Sequence, residues 1–307
     1  MSIEKSEYIW FNGMFVPWDD AKTHVLDHGL HYGTGVFEGI RAYETEDSNS
    51  IVFRLEEHVG RMFRSARMMG ITIPYSKEEI KEVIVEIVRK NKLKECYIRP
   101  LVWYGYKGLG LHAGGLPVNV MVAAWKWGKY LEKEGVRAKI STWTRNNPNS
   151  FPNEAKITGS YVNAILAINE ARILGYDEAI MLDYRGFVSE GSGENLFIVE
   201  DGNILTPPVS ASILLGITRS SVIVLARDLG YEVQEVDMNR SRLYNADEAF
   251  FTGTAAEVTP IYEIDDKKIG DGKTGPITKR IQEEYFATVG GKRQSYKQWL
   301  TYVYEGL

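Results

Sequence analysis

The spacing of apolar residues changes several times along the chain, and each change predicts an element. Short alternating runs, IWFNGMFV at 9–16 and SIVFRL at 50–55, predict strands around a turn-rich segment. Apolar positions then recur three and four residues apart through LEEHVGRMFRSARMMG at 55–70 and SKEEIKEVIVEIVRKNK at 76–92, which predicts two amphipathic helices. Ser76 with Glu79 makes a capping box that fixes the start of the second. CYIRPLVWYG at 96–105 and VNVMVAAWKW at 118–127 read as paired strands across a glycine-rich loop, GYKGLGLHAGGLP. The charged stretch KYLEKEGVR at 129–137 is the best candidate for a linker. Beyond it come a strand AKISTWTR, a loop NNPNSFPNE, a helix SYVNAILAINEARILGY, a strand pair through EAIMLDYRGFVSEGSGENLFIVEDGNIL, a helix RSSVIVLARDLGY and a strand EAFFTGTAAEVTP. Strands and helices mix without strict βαβ alternation, so an α+β class is expected and a doubly wound nucleotide fold is not.

A chain of 307 residues with 44% hydrophobic content can bury a large core, and at roughly 100–200 residues per domain it suggests two domains. Its 36 basic and 41 acidic residues are interspersed, which argues against nucleic acid as a partner. The opening MSIEKSEYIWFNG lacks a signal-peptide core, and no run reaches about 18 uncharged apolar residues, so a soluble cytoplasmic protein without membrane contact is expected. One cysteine, Cys96, excludes an internal disulfide; it lies in an apolar run and reads as a buried thiol. No Cys/His cluster has metal-ligand spacing, so no metal is expected.

Several segments could carry chemistry. Leu214 through Arg219 places Gly216 and Thr218 where a helix begins, which suits an anion at a helix N-terminus or simply a turn. Lys156, in AKITGSY five residues before Tyr161, is either a solvated surface lysine or, if partly desolvated, a nucleophile toward an aldehyde. Glu190 and Glu194 in SEGSGEN are turn carboxylates, or one of them is a buried partner for a protonated ring nitrogen. The small residues of FFTGTAAE could bind an anion through backbone N–H groups or make a tight turn. Arg99, in the middle of an apolar strand, needs a carboxylate, either structural or from a ligand.

Taken together and in order, HYGTGVFEGIRAY at 31–43, EEHVGRMFRSA at 56–66, YIRP at 97–100, EAKITGSY at 154–161, SEGSGENLF at 189–197, LGITR at 215–219 and TGTAAE at 252–257 resemble the branched-chain amino-acid aminotransferases of the fold-type IV pyridoxal-phosphate class. The resemblance runs from about residue 8 to about 290. It implies reversible transfer of the amino group of leucine, isoleucine or valine to 2-oxoglutarate, with pyridoxal 5'-phosphate as cofactor, in the biosynthesis of those amino acids. It also implies a small α+β domain at 1–130, a linker at 131–140 and a larger domain at 141–307 built around a β-barrel-like sheet, with the cofactor at their interface.

By the same resemblance Lys156 holds the cofactor and shuttles the proton, Tyr161 bonds its 3'-oxygen, and Glu190, rather than Glu194, pairs with the ring nitrogen. Arg61, Gly193, Gly216, Ile217, Thr218 and Thr254 match the rest of the cofactor cup, with Leu214 packed on the ring. Tyr97, Thr254 and Ala255 match the α-carboxylate site, while Phe37, Tyr32, Tyr130, Trp127 and Tyr161 match the aromatic side-chain pocket. Arg99 would take the distal carboxylate of glutamate. Leu109 and Leu111 would reach over the pocket of a neighbouring subunit, making the protein a homodimer at least, with a hexamer as the larger alternative. Thr252 stands where close relatives carry serine, and the tail KRQSYKQWLTYVYEGL matches nothing. The competing readings are another fold-type IV enzyme, such as a D-amino-acid transaminase, an R-selective amine transaminase or an aminodeoxychorismate lyase, and a non-catalytic scaffold.

Overall fold

The computed structural model describes residues 3–127 and 135–304. Contacts gather into two units, one made of Met1–Gly128, Ala155–Gly159 and Ala287–Leu307, the other of Lys129–Glu154 and Ser160–Phe286. Both mix helices with mainly antiparallel sheet, as the α+β reading expects. The units interleave along the sequence, whereas contiguous domains were expected.

The first unit is built on an eight-stranded sheet. Its long central strand Cys96–Tyr104 pairs antiparallel with Val118–Trp125, from Tyr97 opposite Trp125 to Tyr104 opposite Val118, across the glycine-rich loop. The run at 9–16 is a hairpin of Tyr8–Phe11 and Met14–Pro17; Asn12 and Gly13 turn it with φ of 47° and 95°, the left-handed values that a two-residue turn requires. The capping box of helix Lys77–Lys90 is formed in both directions. Ile80, Ile84, Ile87 and Val88 make one fully buried stripe on that helix. The unmatched tail is structural: Leu300–Tyr302 pairs antiparallel with Ser50–Phe53, and the Arg54 guanidinium lies 4.5 Å from the ring of buried Trp299. Cys96 is buried, and burial pushes its thiol up to about 12.

The second unit carries a nine-stranded sheet, mixed in direction. Val136–Ile140, in the second half of the expected linker, is one of its strands, parallel to Glu178–Leu182 and to Glu257–Ile264, with Val136, Ala138 and Ile140 buried. The strand ends there because the Ser141 and Thr142 hydroxyls turn to donate to Glu170. EAFFTGTAAEVTP, read as one strand, is a hairpin of Glu248–Gly253 and Glu257–Ile264; small residues at 254–256 make the turn and leave the alternation on either side intact. Residues 131–134 of the expected linker lie outside the described residues. Among the described residues no helix is long and apolar enough to cross a membrane, and no cluster of three His, Cys, Asp or Glu could hold a metal.

Candidate active site

In the first unit Lys156 is held by its backbone on both sides. Its N–H donates to Ser65 Oγ at 3.0 Å, and its carbonyl accepts from Phe37 N at 3.1 Å. Ile157 bridges Val36. Thr158 donates its hydroxyl to the Gly33 carbonyl at 2.7 Å and accepts from Gly35 N at 3.1 Å. Gly33 has φ +64°, and a Cβ there would come within 2.7 Å of Gly159 Cα, so the close approach of the two glycines requires both. The lysine is therefore docked between strand Gly35–Phe37 and helix Leu55–Met68, with Nζ 5.0 Å from the centroid of Phe37.

Arg61, on the same helix, makes a two-pronged fork on Glu38: Nε to Oε1 at 2.7 Å and Nη2 to Oε2 at 2.8 Å. His58, three residues earlier and on the same helix face, has Nδ1 2.7 Å from Glu38 Oε2. All three are buried, Glu38 at 0% exposure. Burial would raise the Glu38 pKa, but the Arg61 charge and the hydrogen bonds from Arg61 and His58 outweigh it and hold the carboxyl well below the usual range. Burial pushes His58 down, so its Nδ1–H donates to the ionised carboxylate from a neutral ring.

Alternation along strand Cys96–Tyr104 puts Tyr97 and Arg99 on one face. The Arg99 guanidinium lies 4.8 Å from the Phe37 centroid and 5.4 Å from that of Tyr97, and no carboxylate among the described residues pairs with it. Its Nε is buried without a hydrogen-bond partner. Trp127 packs on Tyr97 with centroids 4.8 Å apart. Gly39 makes room for Tyr97, whose hydroxyl lies 1.9 Å from where a Cβ would stand. Tyr32 donates to the Leu109 carbonyl at 2.8 Å, and His28 Nε2 lies 3.0 Å from that of Gly110, so the glycine-rich loop is tied at two consecutive carbonyls while the Leu111 side chain stays 85% exposed. Tyr130 lies outside the described residues.

In the second unit a bulge lets three steps from Val188 to Gly191 match two on the partner strand, Leu182 to Ile180, and Glu190 sits on that bulge. Its Oε1 lies 2.8 Å from Arg145 Nη2 in an ion pair, and its Oε2 accepts from Asn195 Nδ2 at 2.9 Å and Leu214 N at 3.0 Å. Glu194 instead accepts from Gly193 N at 3.0 Å within its own turn. Asn195 Nδ2 also donates to the Leu214 carbonyl at 2.9 Å, and its Oδ1 lies 1.9 Å from where a Cβ on Gly216 would stand. Gly216 N-caps helix Ile217–Asp228 with no side-chain cap, leaving the first-turn N–H groups, with buried Ile217 and Thr218, facing outward from the helix end. Thr254 and Ala255, half-buried, form the hairpin turn, and Tyr161 opens helix Tyr161–Ile173.

The structure thus gathers Lys156, Arg61, Phe37, Tyr97, Arg99 and Trp127 in one unit and Glu190, Leu214, Gly216 and Thr218 in the other. Sequence reasoning missed Glu38, His58, Arg145 and Asn195. A signal was present: Glu38 is a lone acid in the apolar run VFEGI, the same anomaly that marks Arg99.

The amino-transferase class IV family model matches residues 35–264. The branched-chain-amino-acid aminotransferase of Pseudomonas aeruginosa is 50% identical over 304 residues, covering 98% of each chain. A branched-chain amino acid aminotransferase from T.th., complexed with N-(5'-phosphopyridoxyl)-L-glutamate, superposes with a TM-score of 0.94 at 53% identity, covering 97% of this chain and 99% of that one. The same enzyme complexed with 4-methylvaleric acid gives 0.93 and 52% with the same coverage.

Proposed function

The chain belongs to the class IV aminotransferases, and on that premise we propose that it moves the amino group of leucine, isoleucine or valine to 2-oxoglutarate. The cofactor is pyridoxal phosphate, which when bound supplies the electron sink for breaking the Cα–H bond. The residues fit that group. The uncapped start of helix Ile217–Asp228, with Gly216 kept free of a Cβ by Asn195, offers N–H donors to a phosphate, and Arg61 offers a fixed cation. Glu190 offers a carboxylate for the ring nitrogen, oriented by hydrogen bonds from Asn195 and the Leu214 amide and by its ion pair with Arg145. Tyr161, Gly193, Leu214, Thr218 and Thr254 complete the proposed cofactor set.

Lys156 is the proton carrier in this reading. Its backbone N–H and C=O are both hydrogen-bonded, so only the side chain need swing, beside the Phe37 ring, to move a proton to and from the substrate Cα. Phe37, Tyr97 and Trp127 give an aromatic wall suited to a branched aliphatic side chain, and Tyr32, Tyr130 and Tyr161 are assigned to the same pocket by their place in the sequence motifs. Thr254 and Ala255 hold the α-carboxylate through backbone N–H groups.

Arg99 carries the substrate reading. A cation beside aromatic rings that has no carboxylate partner among the described residues is suited to the distal carboxylate of glutamate, while the rings serve the aliphatic substrate. One relative, the enzyme from T.th., is complexed with N-(5'-phosphopyridoxyl)-L-glutamate in one structure and with 4-methylvaleric acid in another. Arg99→Ala should slow the glutamate half-reaction by on the order of 10²-fold and the leucine half-reaction far less. Single-turnover rates of each half-reaction measure this, and equal losses would assign Arg99 to the fold or to the shared α-carboxylate site. The exposed Leu111 supports a homodimer, or a hexamer built of dimers, in which this loop serves a neighbouring subunit. A cytoplasmic setting agrees with a lone cysteine kept as a buried thiol.

A further inference from the structure

We propose that Glu38, seconded by His58, is a positioning residue that fixes how Arg61 presents its guanidinium to the cofactor phosphate, at a cost in electrostatic attraction. The proposal rests on the reading of Arg61 as a phosphate ligand and adds two residues that the sequence motifs leave without a role.

The geometry comes first. An arginine side chain is long, and an untethered guanidinium loses much of its rotamer entropy when a ligand immobilises it. Here that ordering is done before any ligand arrives, because Nε and Nη2 both bond one carboxylate in the bidentate fork that fixes the guanidinium plane. The carboxylate is fixed in turn. Glu38 N donates to the Pro100 carbonyl at 3.0 Å, its side chain is fully buried, and His58 adds a donor to Oε2. Phe37, next to Glu38, bonds the Lys156 carbonyl, and Ser65, one turn beyond Arg61, accepts from Lys156 N. The two elements that fix Arg61 therefore also fix the lysine, and Glu38 is the side chain that ties those elements together through the cation.

The charges point the other way. With His58 neutral, Glu38 and Arg61 cancel, so the cluster offers a phosphate dianion less attraction than Arg61 alone would. A site selected for charge would have glutamine here. Position and charge consequently predict opposite outcomes for Glu38→Gln, which keeps the shape and removes the charge. If charge dominates, phosphate binding tightens; if position dominates, it weakens.

The measurement is the affinity of the full-length protein, stripped of cofactor, for pyridoxal phosphate and for pyridoxal. Their ratio isolates the phosphate grip. Glu38→Gln should lower this ratio about tenfold or more, and Arg61→Met should lower it further. Adding Glu38→Gln to Arg61→Met should change nothing more, since Glu38 acts only through Arg61. A ratio in Glu38→Gln equal to or above the parent's, or equal losses with and without Arg61, would overturn the proposal. If Arg61→Met left the ratio unchanged, the phosphate reading of Arg61 would itself fall and the proposal with it. Should Glu38→Gln not fold, Glu38→Asp substitutes, keeping the charge and shortening the reach: a lower ratio supports positioning, and an unchanged or higher one rejects it.

Discussion

In the first unit a buried carboxylate, Glu38, holds an arginine; in the second a buried arginine, Arg145, holds a carboxylate, Glu190. Neither pair is explained by stability, since replacing a buried ion pair with apolar residues is often neutral or stabilising. In each the member proposed to meet the cofactor is opposite in charge to the group it would meet, cation toward phosphate and anion toward a protonated ring nitrogen. The pairs differ in stiffness. Arg61 makes two hydrogen bonds to one carboxylate, whereas Arg145 meets Glu190 as an ion pair through Nη2, its Nε is buried without a partner, and the hydrogen bonds to Glu190 come from Asn195 and the Leu214 amide. The first pair is built to fix a direction and the second to balance a charge, so disturbing the first should show in cofactor affinity and disturbing the second in turnover.

Lys156→Ala, which belongs to neither pair, sets the upper limit: loss of about 10⁴-fold or more in activity with the thermal midpoint little changed. Borohydride trapping in the parent should label the Lys156 peptide, and a label on another lysine would remove the assignment. Glu190→Gln comes next, slowing kcat by on the order of 10²–10³-fold with cofactor retained, while Glu194→Gln does far less. The reverse order would exchange their roles. Arg145→Met should lower kcat by about 10- to 100-fold, shift the absorption spectrum of the bound cofactor and leave cofactor affinity near the parent's, with partial rescue by Arg145→Lys. Loss of affinity with unchanged kcat would erase the distinction between the pairs.

The smallest effect is in stability against pH. His58 is depressed by burial, so its contribution is complete above the unfolded value of about 6.5 and is lost as pH falls below it toward the folded value. Glu38 is depressed as well, and its contribution declines only below the ordinary carboxylate value of about 4.3. Urea titrations between about pH 7 and pH 5 should therefore show a stability loss that His58→Gln flattens. An unchanged slope in that variant would exclude His58 as its source.

Much of this was legible in the sequence wherever the signal was local. Alternation marked Cys96–Tyr104 and Val118–Trp125, and Ser76 with Glu79 marked the start of Lys77–Lys90. Arg99 stood out as a cation among apolar neighbours that needs a carboxylate, structural or from a ligand. What periodicity cannot carry is which distant residue answers a buried charge. Glu38 meets Arg61 across 23 positions, and no spacing rule connects Arg145 to Glu190. The hairpin in EAFFTGTAAEVTP was hidden because alternation continues on both sides of its small turn. The strand Val136–Ile140 was obscured by the charged residues just before it.

The strand Leu300–Tyr302 adds a constraint in time. Ser50–Phe53 is synthesised early, yet its antiparallel partner on that edge leaves the ribosome only after the whole second unit has been made. At about 5–20 residues per second, the wait is on the order of ten seconds or more. Through that interval the first unit presents an open sheet edge, the kind of surface on which nascent chains pair wrongly. The second unit, by contrast, has all its strands before that closing strand appears, so it is the part of the chain able to finish first, while Ser50–Phe53 must wait for Leu300–Tyr302 before that edge is closed.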